Sequence, residues 1–177
     1  GKSYTMGVIA EGMASMEQAV SKNISIIMID TMGIYWTMKY PNNQQQELLA
    51  HWGLRGQGLD VKIFTPKEYY DKYKEEGRPT DFPFSIAPWE LDSEDWITAF
   101  EQERYSAEGV YISDIVSLIR KKYKKYSLQD MTKYIDSDAE TDHNLKNAVR
   151  KMFENADGWG LFSEESTELK QLAIGGA

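Results

Sequence analysis

The chain has 177 residues, of which 41% are hydrophobic and 27% charged, with a formal net charge of −8 and a pI near 4.9. That composition describes an ordinary folded domain with one sizeable core and room for an appended subdomain, and its acidic balance argues against nucleic-acid binding by the surface as a whole while leaving room for a local basic groove. The absence of cysteine and the presence of only 2 His exclude disulfides, thiolate catalysis, Cys-based metal clusters and a His-rich metal site.

No apolar run approaches the ~18 residues of a membrane span, and Val8-Ile9-Ala10 is cut short by Glu11 where a signal peptide would continue. The expectation is a soluble, cytoplasmic protein with no membrane partner.

Residues 4–21 have the period of a helix, with Met6, Ile9, Met13, Met16 and Val20 recurring at spacings of three and four. Gly7 and Gly12 weaken it, so it needs tertiary support. Ile24-Ser25-Ile26-Ile27-Met28-Ile29-Asp30 is a nearly continuous apolar run ending in a carboxylate, the pattern of a parallel strand buried on both faces. A loop through Thr31-Met32-Gly33 and Ile34-Tyr35-Trp36 leads to a short helix over 44–52. Residues 59–64 alternate as a second strand ended by Thr65-Pro66.

From there the helical period dominates. Helices are expected over 67–76, 92–105, 113–126, 128–135 and 145–154, with Asp92 and Ser127 at N-terminal capping positions and no strand between Phe84 and Gly160. The order predicts an α/β fold with parallel strands followed by a mainly helical insertion.

The chemistry-bearing residues come first in the chain. Gly1-Lys2-Ser3 opens directly into the first helix, as does the end of a P-loop, G-x-x-x-x-G-K-[ST]. There backbone amides cradle phosphates, the Lys neutralises charge on the β- and γ-phosphates, and the hydroxyl coordinates magnesium. The tripeptide alone is common and is equally an ordinary N-terminus; the helix and the apolar strand behind it supply the context.

Asp30 has two readings: a magnesium-directed strand-end carboxylate, or an Asp that caps a turn and orients loop amides. Arg120, Lys121, Lys122, Lys124 and Lys125, interleaved with Tyr123 and Tyr126, form the one dense positive run. It suits a DNA backbone or simply a solvated helix end. Trp36, Trp52, Trp89, Trp96 and Trp159 read as packing residues, with Tyr35 and Trp36 the partial exception because they follow a strand end. His51 and His143 stand apart without partners at useful spacing.

Gly1-Lys2-Ser3-Tyr4-Thr5, Gly7-Val8-Ile9-Ala10-Glu11, the stretch from Ile27 to Trp36, and later Val61 to Pro66 and Phe82 to Ile86 together resemble the archaeal HerA-like ATPases of the HerA/FtsK superfamily. The likeness is sharpest over the first third of the chain. It implies a partial RecA-like P-loop NTPase core over 1–66, a helical insertion over 67–160 and a return toward the core over 161–177. It also implies ATP and Mg2+ as cofactors, assembly as a hexameric ring, movement along duplex DNA, and action with a nuclease partner.

On the same basis Gly1, Lys2, Ser3, Tyr4 and Asp30 are the nucleotide-binding candidates and Ser3 the metal ligand. The chain departs from the family pattern in two respects. No strand ends in Asp-Glu, and Gly33-Ile34-Tyr35 stands where many relatives have Gly-Glu-Tyr. Arg55, Arg78, Arg104 and Arg150 offer no marked arginine finger. The chain therefore reads as an internal piece of a motor, inactive alone, with the end of the sequence leading into a further strand. The alternative is a non-catalytic module for oligomerisation or nuclease docking; a small-molecule kinase would need a phosphate-acceptor site that nothing marks.

Overall fold

The computed structural model describes residues 1–173. The chain divides into two compact units, Gly1–Ile63 with Glu168–Ala177, and Phe64–Thr167. The expected lead into a further strand at the end of the chain falls partly outside the described residues.

In the first unit the helix expected over 4–21 divides into α1 (Lys2–Ala14) and α2 (Gln18–Ser21). The break follows from Ser15 and Met16, whose amides close the end of α1 on the carbonyls of Glu11 and Met13. The apolar run at 24–30 is not a strand. Ser25 to Ile29 form no backbone hydrogen bond with a described residue, and Ile29 is 87% exposed. A parallel strand exists only through its neighbours, and no described segment pairs with this one.

A single 3₁₀ turn spans Tyr35–Lys39, and α3 spans Gln46–His51. The second expected strand is displaced too: residues 59–63 are irregular and pairing begins only at Phe64. Leu59 donates its amide to the Met38 carbonyl, and Gly56 and Gly58 lie so close to the 39–42 backbone that a Cβ on either would come within 2.4 to 2.5 Å of a carbonyl oxygen. A short helix α9 (Leu169–Leu172) completes the unit.

The second unit opens with β1 (Phe64–Pro66), α4 (Lys67–Glu75) and β2 (Phe82–Phe84). The strands pair in parallel with Phe64 opposite Phe82, their rings stacked 5.3 Å apart. This two-stranded sheet and an isolated parallel bridge between Ile86 and Phe162 are the β structure of the mixed α/β fold among the described residues. β2 carries Pro83 at its centre, a residue that removes a ladder donor and so hides a strand from sequence pattern.

Helices α5 (Ser93–Ala99), α6 (Ala107–Lys122), α7 (Leu128–Ser137) and α8 (His143–Asp157) follow. Trp96, Ile112, Ile115, Ile119, Met131, Ile135, Val149 and Phe153 converge from all four and are fully enclosed or within 1% of it. The helices begin where the sequence places caps: Asp92 with Asp95 and Ser127 with Asp130 form reciprocal capping boxes. α5 ends at Ala99, six residues short of the expected end, and α6 starts at Ala107, six residues earlier than expected, with Ser106 capping Gly109.

A polar knot closes the α7–α8 connection. Tyr111 donates its hydroxyl to the Asp138 carboxylate at 2.8 Å, Asp138 accepts the Glu140 and Thr141 amides, and Lys146 binds the Asp138 carbonyl. The Thr141 and Glu140 bonds, with that of Tyr111, hold Asp138 well below the usual carboxylate range. Burial and the Asp138 bond push the Tyr111 phenol above its own.

Candidate functional site

The N-terminus of α1 is a helix start without a side-chain cap and without an acidic residue in its first turn. Its first amides find no partner among the described residues, and no acidic residue of the first turn cancels the partial positive charge of the helix end. Gly1, Lys2, Ser3 and Tyr4 are all exposed. Neither the Lys2 ammonium nor the Ser3 hydroxyl engages a described residue, which leaves a cation and a hydroxyl beside a set of free amides.

This is the donor set an oligophosphate requires. Magnesium fits it through Ser3 alone. No group of three or more His, Asp or Glu side chains among the described residues could hold a metal by itself, and magnesium characteristically takes few protein ligands and completes its shell with phosphate and water.

The loop after the apolar run is tied to this helix start. Asp30 directs one carboxylate oxygen to the Ile34 amide at 3.0 Å and the other to the Tyr35 amide at 2.8 Å. That pair of bonds seats the 3₁₀ turn, and Tyr35 then donates its hydroxyl to the Ser3 carbonyl at 3.0 Å. The Tyr35 ring also lies over Gly7, where an added Cβ would meet it at 3.8 Å. Asp30, Tyr35 and Ser3 thus form one chain of contacts, and of the two readings of Asp30 the geometry displays the loop-orienting one.

Trp36 is spent on structure: its indole N–H donates to the Gly33 carbonyl and its ring meets Tyr40 edge-on. Sequence reasoning placed Tyr35 near the site but missed its bond to Ser3; the small residue at Gly7, facing an aromatic loop, is the only trace of it in the sequence.

The basic run falls in the second unit. Arg120, Lys121 and Lys122 form the last turn of α6, where their charge suits the helix dipole, and Lys124 and Lys125 follow it. Lys122 lies over the Tyr123 ring and Lys125 over the Trp89 ring at 5.1 Å. Tyr126 is 3% exposed and so is unavailable for stacking with a base. Among the tryptophans, Trp96 is core and Trp89 packs against it, whereas Trp52 is 72% exposed and corrects the expectation of packing.

Residues 1–169 match the family described as helicase HerA, central domain. The chain belongs to that family. No curated protein and no solved structure matches the HerA-family chain significantly. Membership places it with P-loop ATPases of the HerA/FtsK type, a family that uses ATP with Mg2+, engages nucleic acid and forms rings. No helix among the described residues is long and apolar enough to cross a membrane.

Proposed function

We propose that this chain supplies the nucleotide-sensing edge of an ATP-driven motor of the HerA type that moves along duplex DNA. The observation that carries the proposal is the uncapped, acid-free start of α1 with Lys2 and Ser3 unengaged beside it, together with the family match across 1–169. In this reading the α1 amides and Lys2 hold the β- and γ-phosphates of ATP, Ser3 is the magnesium ligand, and Tyr4 flanks the nucleotide. Asp30 acts through Tyr35, which fixes the Ser3 carbonyl and hence the first turn of α1. The first 66 residues then belong to a RecA-like core, with 67–160 as its helical insertion and 161–177 as the return.

The subunits form a ring in the cytoplasm and act with a nuclease on DNA ends. Arg120, Lys121 and Lys124 carry no ion pair to a described residue and are the DNA-backbone candidates, with Lys122 and Lys125 beside them.

The test is Lys2→Ala in a HerA-type ATPase carrying this chain. Loss of a phosphate-directed charge is expected to lower DNA-stimulated hydrolysis by about a hundredfold or more with the circular dichroism spectrum unchanged. Hydrolysis that survives the substitution contradicts the reading. The chain by itself is expected to show no turnover, because no described strand ends in Asp-Glu to activate water.

A further inference from the structure

Helix C-termini present unsatisfied carbonyls and favour cations in the last turn. α6 obeys this with Arg120, Lys121 and Lys122. α8, fifteen residues long, does not: it has no basic residue in its last turn and ends Glu154-Asn155-Ala156-Asp157. α5 also ends without a basic residue. The two helix ends meet, with Phe100 5.0 Å from Phe153 and 6.2 Å from Trp159. Between them lies a shallow groove lined by Ala99, Phe100, Glu101, Met152, Asn155 and Trp159.

Glu101 has a further peculiarity. It sits at φ 54, the one positive-φ residue other than glycine among those described. Its amide closes on Thr98 and that of Gln102 on Ile97 at 2.9 Å, the helix ending in which glycine is usual. A carboxylate is thus held at the groove rim in a backbone conformation that disfavours any side chain.

Nothing in the unit neutralises it. Glu154 is paired with Arg150 and Asp157 accepts the Gln129 amide, but Glu101 has no ion pair with a described residue. Trp159, 39% exposed, has no cation over its ring among the described residues, in contrast to Trp89.

We propose that this groove receives an arginine side chain from a basic segment of a partner protein. The occupant follows from charge complementarity. Two helix ends without a basic residue in the last turn, a carboxylate with no ion pair to a described residue and a partly exposed indole surround an apolar floor. A planar guanidinium stacks on an indole while offering N–H donors in its own plane to a carboxylate and to the Asn155 carboxamide oxygen; a compact ammonium satisfies one or the other less well. The groove lies wholly within the 64–167 unit, so the inference stands apart from the nucleotide chemistry of Lys2 and Ser3.

The experiment follows the Trp159 indole resonance in the 15N-labelled chain, assigned with Trp159→Phe, on titration with acetyl-Gly-Arg-Gly-amide and its neutral citrulline counterpart. The arginine peptide is expected to shift that resonance with a dissociation constant on the order of millimolar, as befits one anchoring side chain. The citrulline peptide binds at least about tenfold more weakly, and Glu101→Gln weakens the arginine peptide by about tenfold. Glu101→Gly relieves the backbone, so it keeps the fold and loses the same binding.

Equal shifts with citrulline, no shift with arginine, or unchanged binding by both Glu101 variants overturns the proposal. So does a concentration-dependent self-association, seen by sedimentation and abolished by Glu101→Gln, which would assign the groove to a second copy of the chain.

Discussion

The two units spend their apolar residues differently. Phe64–Thr167 encloses Trp96, Phe153 and a shell of Ile, Val and Met from four helices, and each helix begins with a satisfied cap. In Gly1–Ile63 only Ala10 and Ser21 are buried among the described residues, while Met6, Val8, Ile9, Ile27, Ile29 and Met32 are at least half exposed. Full burial of one such aliphatic side chain is worth about 1.5–3 kcal/mol, so the first unit forgoes most of the driving force its sequence contains. The helical unit is stabilised by its own contacts; the unit bearing the candidate phosphate site holds its loop by hydrogen bonds that Asp30 accepts and Tyr35 donates rather than by a core.

The largest test of that contrast is Phe153→Ala, which empties the centre of the helical unit and is expected to cost about 3–5 kcal/mol in urea unfolding. Ile29→Ala, at an exposed position, is expected to change stability by less than about 0.5 kcal/mol. Comparable losses for the two would erase the distinction. Gly109→Ala is next. A Cβ there would lie 2.2 Å from the Glu103 carbonyl oxygen, so backbone must move, and a loss of about 2 kcal/mol is expected by thermal melting.

Ser127→Ala removes the α7 cap and is expected to cost about 1 kcal/mol in urea unfolding. It also bears on pH. Hydrogen bonds from the Ser127 backbone and hydroxyl lower the Asp130 pKa, and Asp138 is lowered likewise. A carboxyl depressed in the folded state contributes stability that is complete above its unfolded value, about pH 4, and is lost as the pH falls through its folded value. The urea midpoint of the helical unit should therefore hold down to about pH 4 and fall below it, with a shallower fall in Asp138→Asn. One change is a gain: Glu101→Gly relieves the positive φ and is expected to raise stability by about 0.5–1 kcal/mol.

The helical unit was legible in the sequence because its signals are local. Asp92 and Ser127 marked helix starts, and Ile115, Val116 and Ile119 marked the buried face at helical spacing, although Leu118 in the same apolar run is exposed and Ile112, ahead of the expected start, is buried. The misses have physical causes. The run at 24–30 has strand composition, but a strand is a relation between segments, and no described residue pairs with this one. The strand at 82–84 was hidden by Pro83.

Of the candidate site, the Gly1-Lys2-Ser3 start and Asp30 could be read from sequence, since helix-end chemistry depends on neighbours in the chain. The Tyr35–Ser3 bond spans 32 positions, and the Glu101–Trp159 groove depends on two helix ends meeting. Only the missing basic residues at those ends hinted at it.

Native-state hydrogen exchange on the whole chain tests the central contrast most directly. Amides in the middle of α6 and α8 are expected to exchange only through global opening of their unit, while those of Ser25 to Ile29 exchange with little or no protection. Protection of Ser25 to Ile29 equal to that of Ile115 or Val149 would contradict it.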